Sequence, residues 1–357
     1  TTSGNLVITI HGTNDVPTVS AATATVDEDG PVLMGVLPTP HDVDAGDVPQ
    51  FVPQTGSVGA YGVLTVDAQG NYSYALDNSR PEIQALSQGD TLTEQFIFTV
   101  TDGQSYVSKT LTITINGTND APTVAASSAA LTEHQGLVGG VLPAPQDVDA
   151  NDTLNFIEQH NAHGQYGSFS VDAAGNYTYV LDYTAPDLQH LADGQQLTEV
   201  FTYTVYDNHG GMASNTITIT INGTNDAPQV DAAVASIDED VASISGNLPA
   251  PTDMDAGDVA HFVPQADVQG QYGSFALQAD GSYVYTLNNA LPVVQQLGEG
   301  QHLTETFTYT VKDQHGAAAS STMTITINGT NDNPVIAPIV TTPLKEDNIL
   351  TSAGTLT

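Results

Sequence analysis

The chain has no cysteine and no tryptophan, and only four of its 357 residues are Lys or Arg. Without cysteine there can be no disulfide, no thiolate metal site and no cysteine nucleophile. Arg80, Lys109, Lys312 and Lys345 are too few to form a basic patch. Nucleic-acid binding needs Lys and Arg at the phosphates, so that class is excluded. Docking on anionic membranes is excluded for the same reason. No window approaches 18 consecutive apolar residues, so membrane insertion is not expected. The first residues, Thr-Thr-Ser, show neither the charged nor the apolar region of a signal peptide.

What is present in excess is acid. Asp and Glu number 41, for a formal net charge of −37. Such acidity accompanies disorder when hydrophobic residues are scarce. Here they make up 39%, and Val, Ile, Thr, Tyr and Phe are plentiful. These residues suit a half-buried pleated surface. With 32 Gly and 19 Pro, they predict many short strands joined by tight turns.

A repeat dominates the sequence. Gly-Thr-Asn-Asp-x-Pro starts at Gly12, Gly117, Gly223 and Gly329. The expected domains are therefore repeats at 16–120, 121–226 and 227–332. Residues 1–15 read as the C-terminal strand of a preceding repeat, through Leu6-Val-Ile-Thr-Ile10. Residues 333–357 read as the start of a further, truncated repeat, through Lys345-Glu346-Asp347. A fragment of a longer array is the expectation. The period is too long for a solenoid unit and fits an independently folding β-sandwich.

The last strand of each repeat alternates with period two, as Leu111-Thr-Ile113-Thr-Ile115, Ile217-Thr-Ile219-Thr-Ile221 and Met323-Thr-Ile325-Thr-Ile327. One face is therefore in the core and one in water. The strand before it reads Phe96-Ile-Phe98-Thr-Val100, Phe201-Thr-Tyr203-Thr-Val205 and Phe307-Thr-Tyr309-Thr-Val311. Asp67 to Asn71 predicts a hairpin turn, and Pro81 to Leu86 one helical turn. No long amphipathic helix is expected.

The acids recur in register. Glu28, Glu133, Glu239 and Glu346 lie in the first strand. A D-x-D-x-x-D loop follows: Asp42, Asp44 and Asp47; Asp147, Asp149 and Asp152; Asp253, Asp255 and Asp258. Glu94, Glu199 and Glu305 open a late strand, and Asp102, Asp207 and Asp313 sit in the turn after it. The boundaries carry Asn14-Asp15, Asn119-Asp120, Asn225-Asp226 and Asn331-Asp332. Like charges this close repel and force pKa values upward. A hard cation removes the conflict: Ca2+ takes six to eight oxygen ligands, whereas softer metals want His or Cys.

Sandwich topology assigns these acids to two ends. Asp102 is expected near Asp42, Asp44, Asn14 and Asp15. The first complete junction should gather Glu28, Glu94, Asn119, Asp120, Asp147, Asp149 and Asp207. The second should gather Glu133, Glu199, Asn225, Asp226, Asp253, Asp255 and Asp313. Glu239, Glu305, Asn331 and Asp332 form an incomplete third. In the second repeat Thr132 and His134 flank Glu133, where the other repeats carry Asp or Lys. That lowers the charge near one junction.

Tyr-Gly-x-(Leu/Phe)-x-(Val/Leu), Gly-(Asn/Ser)-Tyr-x-Tyr-x-Leu, Leu-Thr-Glu-x-Phe-x-(Phe/Tyr)-Thr-Val and Asn-Gly-Thr-Asn-Asp-Ala-Pro together resemble the VCBS repeat of bacterial surface proteins. The ends of each repeat resemble cadherin: Glu near the first strand, D-x-D, Asp-x-x-Gly, then Asn-Asp-x-Pro. The resemblance covers essentially the whole chain. It implies an all-β fold of tandem immunoglobulin-like or cadherin-like β-sandwiches arranged end to end. It also implies the extender region of a type I-secreted, RTX-type adhesin at the bacterial cell surface.

Other chemistry finds little support. Of ten histidines, only His209 and His315 share a repeat position. His160 and His163, the one close pair, read as surface residues of a loop rather than a zinc site. Three similar repeats supply no unique catalytic constellation, so no enzyme is expected. Tyr72 and Tyr74 read as core residues, and Asn116-Gly-Thr, Asn222-Gly-Thr and Asn328-Gly-Thr as linker turns. The leading functional expectation is a Ca2+-rigidified extender whose partners are neighbouring repeats of the same long chain, with any glycan or cell-surface ligand held by domains outside it. The alternatives are repeats that themselves bind glycans or partners, and a strand-exchanging fibre subunit.

Overall fold

A computed structural model of the chain describes residues 3–334. Most of the expected further repeat at 333–357, with Glu346, lies outside the described residues.

The first repeat contains β1 (Ala22–Asp27), β2 (Leu33–Val36), β3 (Gln50–Phe51), β4 (Gln54–Val58), β5 (Gly62–Val66), β6 (Asn71–Leu76), α1 (Pro81–Gln84), β7 (Thr91–Thr101) and β8 (Tyr106–Asn116). They form two four-stranded sheets, in the orders β1-β8-β7-β3 and β2-β6-β5-β4. The second and third repeats have the same two orders. The fold is all-β and of β-sandwich type, as the alternation predicts.

Period-two patterning puts apolar side chains of both sheets on facing surfaces. Leu64, Val66 and Tyr74 from one sheet meet Phe96, Phe98, Val100, Leu111, Ile113 and Ile115 from the other. Each such side chain stabilises the fold by about 1.5–3 kcal/mol relative to exposure. The ring centroids of Phe51 and Phe98 lie 5.9 Å apart. The third repeat builds an equivalent core around Phe275, Tyr309, Ile325 and Ile327. The predicted hairpin forms, with Asp67 Oδ1 accepting the N–H groups of Gln69 and Asn71. The single helical turn forms too, with Pro81 at its first helical position, where a missing N–H is harmless.

Two features position the boundaries. First, β1 runs parallel to β8, pairing Ala22 with Leu111 through Asp27 with Asn116. Glu28 therefore emerges beside the residue at which the chain leaves the sandwich. Second, Gly117 follows β8 with its N–H on the Asp90 carbonyl, 2.9 Å away. A Cβ there would stand 2.3 Å from the Ser87 carbonyl oxygen, so only glycine fits. The Asn-Gly-Thr motif is the chain leaving the sandwich against the α1 segment.

Two expectations are not met. Residues 3–15 carry no strand among the described residues, and Leu6 and Ile10 are 85% and 89% exposed. Neither a ladder partner nor a facing sheet covers them. His160 and His163 lie not in a loop but in a bulged strand, Gln159–His163, with Asn161 at φ 50°.

The chain forms two compact units. Among the described residues, one gathers 3–131 with 135–182 and 198–220; the other gathers 132–134, 183–197 and 221–334. The acids of the first complete boundary lie in the first unit, and those of the second, Glu199 apart, in the second.

Candidate metal centres at the repeat boundaries

In the first unit, Glu28 is fully buried. Its Oε1 accepts the backbone N–H of Thr118 at 2.8 Å and the Thr118 hydroxyl at 3.1 Å. Asp120 donates its N–H to Asp149 Oδ2 at 2.9 Å, and Asp149 donates its own to Asp147 Oδ1 at 3.1 Å. The Asn119 amide donates to Asp207 Oδ2 at 3.1 Å. Asp207 Oδ1 accepts three turn N–H groups, from His209, Gly210 and Gly211. These bonds hold one oxygen each of Glu28, Asp147 and Asp149 and leave the other bare, while both oxygens of Asp207 are taken.

Carboxylates converge in two groups. Glu28, Asp120 and Asp149 each bring a carboxylate oxygen within 4.8 Å of the other two, and Asp147, Asp152 and Asp207 do likewise. Glu28 Oε2, Asn119 Oδ1, Asp120 Oδ2, Asp147 Oδ2 and Asp149 Oδ1 are buried without a hydrogen-bond partner. Two unit charges 4 Å apart repel by about 4 kcal/mol at an effective dielectric of about 20. Three carboxylates held this close repel one another, and a cation among them removes the conflict. The donor set is oxygen only, which suits a hard cation.

The electrostatics point the same way. Burial, with the Asp29 and Asp120 charges, pushes Glu28 up despite the Thr118 hydrogen bonds. Burial and the charges of Asp29 and Asp147 push Asp120 up. Burial and three neighbouring aspartates push Asp149 up. The turn acids behave oppositely. Backbone N–H groups of Ser105 and Gln104 hold Asp102 below the usual carboxylate range. Burial pushes Asp207 up, but the Asn119 amide and the turn N–H groups outweigh it.

The start of the first repeat carries half of this arrangement. Asn14 donates to Asp102 Oδ2 at 3.0 Å, Asp15 N–H to Asp44 Oδ2 at 2.7 Å, and Asp44 N–H to Asp42 Oδ1 at 2.9 Å. Asp42, Asp44 and Asp47 cluster.

In the second unit the pattern repeats. Thr224 donates its N–H to Glu133 Oε1 at 2.6 Å, Asp226 to Asp255 Oδ2 at 2.7 Å, and Asn225 to Asp313 Oδ2 at 2.9 Å. Asn225 Oδ1, Asp253 Oδ2 and Asp255 Oδ1 are buried and unpartnered. Glu239, fully buried, accepts the Thr330 N–H at 2.7 Å and leaves Oε2 unpartnered, while Asn331 and Asp332 are exposed.

One predicted set goes elsewhere. Glu94, Glu199 and Glu305 do not join the clusters. Both Glu94 oxygens are taken inside the sandwich, one by the Tyr74 hydroxyl and the other by the Tyr61 N–H at 3.2 Å. Glu199 binds Tyr179 and Gln165, and Glu305 binds Tyr285 and Gln271, in the same way. A Cβ on Gly59 would lie 2.0 Å from Glu94 Oε2, so the glycine makes room for the carboxylate. The structure also adds residues that the expected junctions left out. Asp152 belongs to the Asp147–Asp207 cluster and lies 3.0 Å from His209 Nδ1. Asp258 pairs with His315 at 2.9 Å. The signal for both was the third acid of D-x-D-x-x-D.

The chain matches the model of the bacterial cadherin-like domain three times, at residues 14–117, 119–223 and 225–329. It is similar to the calcium-binding lectin RapA2 of Rhizobium johnstonii, 29% identical over 184 residues, covering 47% of this chain and 74% of that protein. Among solved structures, mouse cadherin-23 EC22-24 is similar in fold, at 15% identity and a TM-score of 0.51, over 89% of this chain and 99% of that one. The protocadherin gamma B2 extracellular cadherin domains 1-5 match at 19% identity and a TM-score of 0.52, over 91% of this chain and 62% of that one. With three consecutive matches spanning nearly all of its described residues, the chain belongs to the bacterial cadherin-like domain family.

Proposed function

We propose that this chain is an extender segment of an extracellular adhesin, with Ca2+ bound at its repeat boundaries. The observation that carries the reading is the set of buried, unpartnered oxygens at the first complete boundary: Glu28 Oε2, Asn119 Oδ1, Asp120 Oδ2, Asp147 Oδ2 and Asp149 Oδ1. They come from two successive repeats and the residues joining them. Ions held among these oxygens, in the Glu28–Asp120–Asp149 and Asp147–Asp152–Asp207 groups, would tie one sandwich to the next and cancel the repulsion of a strongly acidic chain. Calcium fits the oxygen-only set better than Mg2+, which demands a tighter octahedron and keeps its water. Affinities of extracellular calcium modules, on the order of 10⁻⁴–10⁻³ M, would confine stiffening to the outside of the cell. The similarity to a calcium-binding lectin and the cadherin-like fold support the reading. In this reading the chain is a spacer rather than an enzyme, and type I secretion would deliver it unfolded into calcium.

Small-angle X-ray scattering with calcium and with excess EGTA tests the proposal. A long, stiff particle that becomes flexible on chelation is the expected result. An unchanged profile would rule out calcium clamps at the boundaries.

A second reading is favoured by the name of the rhizobial relative, a lectin. Here the repeats themselves contact glycans. A glycan array probed with this chain decides between the two, because a spacer gives no calcium-dependent signal.

A further inference from the structure

The boundary between the second and third repeats differs from the first complete one in its donor atoms. His134 stands where the first boundary has Asp29, His190 where it has Ala85, and Met254 where it has Val148. All three changes meet in one place. His134, Glu133 and Asp226 each offer a ligand atom within 4.8 Å of the other two. Met254 lines the same cavity of about 150 Å³, and its carbonyl accepts a hydrogen bond from His190 Nδ1 at 2.8 Å.

Hydrogen bonds fix how the imidazole of His134 is presented. Thr224 Oγ1 donates its one proton to Glu133 Oε1 at 2.9 Å. It must therefore accept from His134 Nδ1, which lies 2.7 Å away. Nδ1 carries the proton, and the imidazole coordinates, if at all, through Nε2. Nε2 faces Asp226 Oδ1 at 3.2 Å. With the proton on Nδ1, the Nε2 lone pair lies beside that carboxylate oxygen, and a cation set against both would meet two ligand atoms at once. A ligating histidine whose other N–H is held by a neighbour is the usual arrangement at metal sites. A further oxygen lies close by: Asp255 is 3% exposed, binds the Asp226 N–H through Oδ2 and has no partner for Oδ1.

We propose that this boundary binds a d-block divalent cation of the zinc class, through His134 Nε2 and the carboxylates of Glu133 and Asp226. Imidazole and carboxylate are ligands that such a cation accepts, and imidazole is one that Ca2+ rarely takes. The first complete boundary, with Asp29 at the matching position, offers oxygen alone. The inference shares the Glu133 and Asp226 carboxylates with the calcium reading and adds to them one imidazole, on which it turns.

The test uses the full chain, first freed of calcium and then in saturating calcium, titrated with Zn2+ by calorimetry and with Co2+ by visible absorption. One equivalent of Zn2+ and a Co2+ ligand-field band are expected. His134→Asp, which restores the residue of the other boundaries, should weaken Zn2+ at least tenfold and abolish the band. The His134 side chain is 57% exposed, so the substitution leaves the fold intact. Melting shifts with calcium, measured separately, report on the calcium reading alone. Zn2+ uptake that is absent, or equal in the wild type and His134→Asp, overturns the proposal. So does a signal that survives His134→Asp and disappears in His209→Asn with His315→Asn.

Discussion

Tyr74 donates its hydroxyl to Glu94 inside the first sandwich, and this pair recurs as Tyr179 with Glu199 and Tyr285 with Glu305. Burial and the neighbouring carboxylate push the Tyr74 hydroxyl far above its ordinary value, so it remains a donor. The pair ties β6 to β7, and the same carboxylate holds the loop before β5 through the Tyr61 N–H.

Removing that donor strands a buried carboxylate oxygen. Tyr74→Phe should destabilise the first repeat by about 1–3 kcal/mol, the usual penalty for a buried group left unsatisfied. Urea unfolding followed by circular dichroism measures it. The calcium-induced rise in melting temperature should be unchanged, since Glu94 lies outside the boundary cluster.

Asp147→Asn with Asp149→Asn addresses the boundary itself. With calcium at roughly 10–100 times its dissociation constant, each site adds on the order of 1–3 kcal/mol by mass action. Scanning calorimetry should show that this increment at the first complete boundary disappears in the double variant. Stability in EGTA should hold or rise, because two converging charges are gone. A calcium response equal to that of the wild type would contradict the assignment.

Gly117→Ala forces a Cβ to within 2.3 Å of the Ser87 carbonyl oxygen, which belongs to backbone and cannot swing away. Overpacking of this kind typically costs about 1–3 kcal/mol. The expected outcome is a lower melting temperature together with weaker calcium binding, because Thr118, the partner of Glu28, follows directly.

The pH dependence should reverse with calcium. Glu28, Asp120 and Asp149 have raised values in the fold, so their contribution is complete at low pH and is lost as pH rises through those values. His209 and His315, raised chiefly by Asp152 and Asp258, act in the same direction. Asp102, Asp207 and Asp313 are lowered, and their contribution is lost only as pH falls through values beneath the ordinary range. In EGTA the melting temperature should therefore rise between pH 7 and about 5. In calcium it should fall over the same interval, because protons compete for the ligands. Parallel curves would contradict this reading.

The repeats, the sandwich and most of the boundary acids were legible in the sequence. Repetition exposes acids held in register, and period two exposes the core. Glu28 was readable because its neighbours place it at a strand end. Glu94 was misread, although its parity carried the answer. It shares the inward face of β7 with Phe96, Phe98 and Val100, all buried. An acid on that face needs a buried donor, and Tyr74 on β6 supplies it. The third loop acid, Asp152, was visible in the motif but not in its role. Its role depends on pairing with His209, a partner 57 residues away that no local pattern reveals.

The parallel pairing of β1 with β8 has a mechanical consequence. Tension enters the first sandwich ahead of Ala22 and leaves beyond Asn116, at opposite ends of one six-residue ladder. The two strands are thus pulled past each other along their length, and every hydrogen bond between them bears load at the same moment. A hairpin opened from its end surrenders its bonds one at a time. The sandwich is loaded in shear, the geometry that resists a steady pull best, and the same register recurs from Ala233 to Asp238 in the third repeat.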